Sequence, residues 1–193
     1  SAHAQEEAAP SDSITYEESG ERKTRSGVLI ESADWDGVAY KNGGGRSANV
    51  PGPSVLELRY GDAPREYGQG WRALSSRNGK AAKDAFDACL NAKAAGVVER
   101  DWIDEGIQVG LGEAYLLLAL DDEGKYADAT TAFEAARAAN PKSLMADRIF
   151  RGLAEAELGA NNAAGATPHA DALVAAGRSA RRPQWEIDGL FLR

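Results

Sequence analysis

Side chains able to do acid–base, nucleophilic or metal chemistry are sparse in this chain. There are two histidines, His3 and His169, and one cysteine, Cys89. A zinc centre draws its ligands from closely paired His and Cys positions, and these three residues stand far apart. A single cysteine excludes an intrachain disulfide. In ACLNA it reads as a small buried apolar residue, with a reactive thiol as the alternative. Asp101, Asp104 and Glu105 gather where a helix should begin, a place that favours carboxylates electrostatically; an acid–base pair is the chemical alternative. Asp121, Asp122 and Glu123 could attract a cation, but they lack the alternating oxygen ligands and the final glutamate of a calcium loop. Gly43, Gly44 and Gly45 precede no Lys-Ser/Thr pair, so a hairpin turn is expected instead of a phosphate cradle. Gly110 and Gly112 fall inside a helical pattern, where a lone G-x-G means close packing. No serine has the flanking glycines of a nucleophile elbow. The expectation is a non-enzymatic protein with no catalytic residues, no cofactor and no metal.

A formal net charge of −8 disfavours nucleic acid and anionic lipid as ligands, because phosphate recognition needs a basic surface. No apolar run approaches the length needed to span a bilayer. The first residues, SAHAQEEAAPSDS, contain a small-x-small pattern before Gln5 like that of a signal-peptidase site. An exported protein (periplasmic, cell-surface or extracellular) is expected, with a trimmed cytosolic tail as the alternative.

Four segments follow from texture. Residues 1–11 form an Ala/Glu/Pro-rich arm. Over 12–60, short β-prone runs alternate with Gly, Asn and Asp turns, and Val28, Ile30, Val55, Leu56, Leu58 and Tyr60 mark the apolar positions. Five short strands in that length predict a small SH3-like or Sm-like β-barrel, with an open hairpin meander as the alternative. From 61 to 177 the chain is alanine-rich with helical periodicity. Three helix hairpins are predicted, at 64–77 with 80–95, 101–120 with 125–139, and 143–158 with 161–176. Asp62 is the expected first N-cap, and Gly79, Gly124 and Gly159 the expected turn glycines. Residues 178–193 form a C-terminal segment, with a short helix from Pro183. The predicted class is therefore α+β, a five-stranded barrel followed by a helical solenoid.

The second hairpin carries a recognisable pattern. Gly112, Ala114 and Tyr115 stand in its first helix; Tyr126, Ala129, Phe133 and Ala136 in its second, closed by Asn140-Pro141. This resembles a tetratricopeptide (TPR) repeat. Gly70, Ala82, Phe86 and Cys89 fit a first unit, and Gly152, Ala154, Leu158, Gly159 and Ala164 a third. The glycines 70, 112 and 152 are 42 and 40 residues apart against a family period of 34, so the array is stretched. The resemblance implies a concave face lined by Tyr67, Trp71 and Leu74, then Val109, Glu113 and Leu116, then Ile149, Leu153 and Ala156. That face would be mostly apolar, without the basic residues that clamp a peptide's terminal carboxylate. A slip in register would make the same residues inter-helix core.

An apolar groove in water should be covered. The C-terminal segment, with Trp185, Ile187, Leu190, Phe191 and Leu192, and the N-terminal arm are the expected covers, from the same chain or a neighbour. Arg178, Arg181 and Arg182 are placed to meet Glu6 and Glu7 of a second copy, which would give head-to-tail association. The expected function is a scaffold or structural subunit that binds protein, above all copies of itself. An adaptor taking a partner's peptide is the alternative. A third possibility is a hydrolase or carbohydrate-binding module recognising its ligand through Trp35 and Tyr40.

Overall fold

In the computed structural model, which describes residues 11–98, 100–122 and 124–193, the β-prone segment forms five antiparallel strands: β1 (Asp12–Glu18), β2 (Glu21–Ala33), β3 (Gly37–Lys41), β4 (Ser47–Pro51) and β5 (Val55–Arg59). Seven helices follow, so the class is α+β. The chain divides into two units, Ser1–Asp62 and Ala63–Arg193.

Ser19 and Gly20 both have positive φ, the geometry of a two-residue hairpin between β1 and β2. β2 is longer than the turn-rich sequence suggests. It passes through Gly27 at φ +70°, where the register with β1 slips, and changes partner from β1 to β3. Asn42 closes the β3–β4 turn, its Oδ1 accepting from the Gly44 and Arg46 amides at 3.0 Å each. Ile14, Tyr16, Val28, Ile30, Val38, Tyr40, Val50 and Val55 make the buried face.

The expected barrel does not close. Strand order is β4-β3-β2-β1-β5, and the two outer strands are joined by a 3-10 turn, Gly52–Ser54, instead of pairing. Both are five residues long, and Pro51 and Pro53 withhold amide donors where a closing ladder would begin. The turn is pinned from one side, since a Cβ on Gly52 would lie 2.0 Å from the Trp35 carbonyl oxygen.

Asp12 is fully buried and ties the sheet together. Its two carboxylate oxygens accept from the Ile30 and Gly61 amides, each at 2.8 Å. Irregularities in both flanking ladders free the Ile30 amide from a strand partner. Asp12→Ala should orphan that buried donor and destabilise the sheet unit by about 1–3 kcal/mol, read by urea unfolding followed through Trp35 fluorescence in a chain whose other tryptophans are replaced. A loss within error would remove Asp12 as the tie.

The second unit comprises α1 (Arg65–Ser75), α2 (Gly79–Ala94), α3 (Trp102–Leu118), α4 (Lys125–Ala139), α5 (Ala146–Gly159), α6 (Ala163–Ser179) and α7 (Pro183–Phe191). Asn78 caps α2 and Asn162 caps α6, accepting from Ala81 and Gly165 amides at 3.0 and 3.1 Å. Asp62 does not cap α1, which starts after Pro64 without a side-chain cap. Positive φ falls at Arg77, Asn161 and Arg181, each just before a helix, and at Gly96 just after α2, whereas Gly79 and Gly159 lie inside helices.

Each helix packs on the next, and α1, α3, α5 and α7 also touch in succession. Glycines set these approaches. A Cβ on Gly70 or Gly110 would fall 2.6 or 2.3 Å from Phe86 Cζ; on Gly112 or Gly152 it would fall 2.7 or 2.2 Å from Phe133 Cζ. Each phenylalanine of an even helix is thus seated between two glycine surfaces, one on the helix before it and one on the helix after. α3 carries both kinds of surface two residues apart, Gly110 toward α2 and Gly112 toward α4. Two residues are about 200° of helix rotation, so opposite sides of α3 are gripped.

Candidate functional site

These contacts correct the register of the third repeat. Gly152 faces the preceding even helix, as Gly110 does, so the counterpart of Gly112 is Ala154, which is fully buried. The pairs become Gly68-x-Gly70, Gly110-x-Gly112 and Gly152-x-Ala154, with a uniform spacing of 42 residues, and then Gly189-x-Phe191 on α7. A Cβ on Gly189 would lie 2.8 Å from the Ala170 carbonyl oxygen and from Val174 of α6.

The expected concave line changes accordingly. Val109, Ile149, Leu153 and Ala156 are core residues around Phe133, exposed by at most 1%. Tyr67 belongs to an aromatic cluster, with ring centroids 5.9 Å from Trp71, 6.2 Å from Phe86 and 5.4 Å from Trp102. Burial there pushes its phenol up to about 12. Leu74 packs beside the same core. Of the residues assigned to the face, Glu113 and Leu116 line an open cleft and Trp71 stands next to it.

The cleft, of about 200 Å³, is lined by Glu113 and Leu116 of α3, Phe133 of α4, and Asp147, Arg148, Arg151, Gly152 and Glu155 of α5. In the corrected register Arg151, Glu155 and Leu158 are the third-repeat counterparts of Val109, Glu113 and Leu116. The surface is therefore charged over an apolar floor, not the apolar groove expected. Arg148 Nε and a terminal guanidinium nitrogen donate to the two Glu113 oxygens at 2.6 Å each, and the guanidinium lies 4.4 Å from the Trp71 ring centroid. Arg151 donates to Asp188 of α7 at 2.5 Å. Burial raises the Asp147 carboxyl above its ordinary range, against backbone amides and the nearby arginines that lower it. Glu155 is also raised by burial and by the Glu113 charge, while Arg151 opposes the shift. Glu155 has no hydrogen-bond partner among the described residues. Arg148 and Arg151 were not singled out from sequence; the glycine pair spacing was the signal that would have found Arg151 and Glu155.

Asn140, of the Asn-Pro that closes the second hairpin, has a structural task. With Ser143 it donates to Glu105 of α3, the Asn140 bond being 2.7 Å, which ties α3 to the α4–α5 loop. Burial raises the Glu105 carboxyl and these two bonds lower it, with a net rise. A carboxyl that holds its proton more readily folded than unfolded adds stability as pH falls through the raised range, and that contribution is lost as pH rises. The stability of wild type relative to Glu105→Gln should therefore improve from pH 7 to pH 5, measured by urea midpoints. A constant difference would contradict the rise.

The residues assigned to self-association are distributed differently than expected. Arg178 donates to Glu186 at 2.7 Å within the same chain, Arg182 lies 4.9 Å from the Trp185 ring centroid, and Trp185 is only 5% exposed. Arg181 sits in the α6–α7 turn. Phe191 is 87% exposed. Glu6 and Glu7 lie outside the described residues.

Cys89 is buried and its thiol is pushed up to about 11 by that burial. Tyr40 is in the sheet core and Trp35 is half-buried, so the two do not form an exposed aromatic pair. Among the described residues no group of three His, Cys, Asp or Glu could hold a metal ion, and no helix is long and apolar enough to cross a membrane. No family model, curated protein or solved structure matches the chain.

Proposed function

We propose that this protein is a non-enzymatic scaffold whose TPR-like helices associate with further copies of the chain. One observation carries the reading. On α7, Leu190 and Phe191 occupy the positions of Leu111 and Gly112 on α3 and of Leu153 and Ala154 on α5. In α3 and α5 an even helix covers that side, leaving Leu111 5% and Leu153 0% exposed, whereas Leu190 is 49% and Phe191 87% exposed, with Ile187 beside them at 44%. Trp185 and Gly189 meanwhile bury the opposite side of α7. A short helix apolar on both sides is built to be sandwiched. Export from a bacterial cell is part of the same proposal. Sedimentation velocity over a wide concentration range tests it: masses above that of one chain are expected, and a single-chain mass throughout would overturn it.

The cleft favours a second reading, an adaptor for a peptide with a basic side chain. Glu155 stands over an apolar floor of Leu116, Phe133 and Gly152 with no hydrogen-bond partner of its own. Under this reading a lysine-rich peptide binds the whole chain in calorimetry and Glu155→Gln weakens it severalfold; no heat at low salt would dismiss it.

A further inference from the structure

Both arginines of the cleft are held by acidic partners on other helices. Arg148 is forked onto Glu113 of α3 with its guanidinium over the Trp71 ring. Arg151 donates to Asp188 Oδ2 of α7 at 2.5 Å. Asp188 is itself fixed, because its Oδ1 accepts from Gln184, one helical turn earlier, at 2.7 Å. Glu155 lies four residues after Arg151 on α5, the spacing at which an arginine and a glutamate on one helix meet and pair. That local pair does not form. Glu155 lines the cleft and accepts no hydrogen bond from a described residue. Partial burial raises its carboxyl, and the nearby Arg151 charge opposes that rise without bonding it. Arginine ahead of glutamate is the weaker order for such a pair, and Asp188 is the more sheltered acceptor, its side chain 21% exposed. Arg151 thus stands between two acceptors and is bound to the one on α7.

We infer that Asp188 is a positioning residue for the cleft: by holding Arg151 it keeps Glu155 unpaired, free to accept the ammonium group of a partner's lysine side chain. This rests on the adaptor reading and names the device that keeps its acceptor available. Without Asp188, Arg151 turns to Glu155, and a ligand binds only the fraction of molecules in which that pair is open. Arg148 cannot take its place, since Glu113 and Trp71 hold its guanidinium by an edge and a face. The apolar stem of the lysine lies along the floor of Leu116, Phe133 and Gly152 while its charged tip reaches Glu155.

Calorimetry of the full chain with a blocked tetralysine peptide at low salt tests the device. Asp188→Asn keeps an oxygen for Gln184 and should weaken binding at least about threefold. Asp188→Asn combined with Arg151→Gln should bind at least as tightly as wild type, a recovery that damage to α7 would not allow. With Glu155→Gln already in place, Asp188→Asn should cause no further loss, whereas a general change of charge would add its own. Without peptide, carboxyl-carbon NMR should show Glu155 titrating at lower pH in Asp188→Asn than in wild type. If wild type binds the peptide but the Glu155 titration does not move, or the Arg151→Gln change gives no recovery, the positioning role is overturned and the adaptor reading stands. If wild type binds no peptide, the adaptor reading falls and the lysine assignment falls with it.

Discussion

Phe133→Ala should cost the helical unit about 3–5 kcal/mol, the upper range for a buried aromatic replaced by alanine. The ring is fully buried, in contact with Gly112 of α3 on one side and Gly152 of α5 on the other. Neither glycine has a side chain that could rotate into the space. Its buried neighbours Val109, Ile149 and Leu153 belong to helices held at fixed separation by their other contacts. The cavity would therefore stay largely open, and cost grows with the volume that cannot collapse. Urea unfolding followed by helical circular dichroism gives the number. Phe191→Ala is the control of equal chemistry: at 87% exposure it should change monomer stability by under about 0.5 kcal/mol. Similar losses for the two would mean that Phe133 does not hold α3, α4 and α5 together. Adding Gly152→Ala to Phe133→Ala puts a methyl group into the vacated space, so the pair should cost less than the two single changes added.

That arrangement was partly legible in the sequence. Ala129, Phe133 and Ala136 recur at helical spacing and are all fully buried, and Tyr126 closes on Gly159, so the pattern of the second hairpin states its packing directly. The third hairpin is ambiguous in sequence because a glycine does not say which neighbour it faces. Aligning Gly152 with Gly112 rather than with Gly110 shifts the repeat by two residues, about 200° around a helix, which exchanges its concave and buried sides. The apolar groove came from that exchange. Read as pairs at a 42-residue spacing, the glycines place Arg151 and Glu155 on the cleft. In the sheet, five strands are legible from alternation and turns, but closure depends on whether β4 and β5 pair, and the local hint against it is the Pro51 and Pro53 pair between them. Asp12 was equally silent, because a carboxylate at the start of a strand looks like a turn residue until the orphaned Ile30 amide is seen.

The same glycine register yields a second large effect, a contrast between two chemically identical changes. Gly110→Ala should destabilise the helical unit by about 1–3 kcal/mol, since its new methyl would lie 2.3 Å from Phe86 Cζ, in a ring already pressed from the other side by Gly70. Phe86 is fully buried and has no room to retreat. Gly68→Ala, at the equivalent position one repeat earlier, meets only a flexible arginine tip at 3.9 Å. There the intrinsic preference of helices for alanine should dominate and stabilise the monomer by about 0.5–1 kcal/mol. The two changes should therefore differ in sign when unfolding is measured at concentrations too low for association. Phe86→Leu, which shortens the reach of the side chain toward α3, should soften the penalty at Gly110 and leave the gain at Gly68 untouched. Equal effects at the two glycines would mean that the register has no energetic content. Opposite signs would show that Gly68 keeps open a surface that Phe86 fills at Gly110 and Phe133 fills at Gly152.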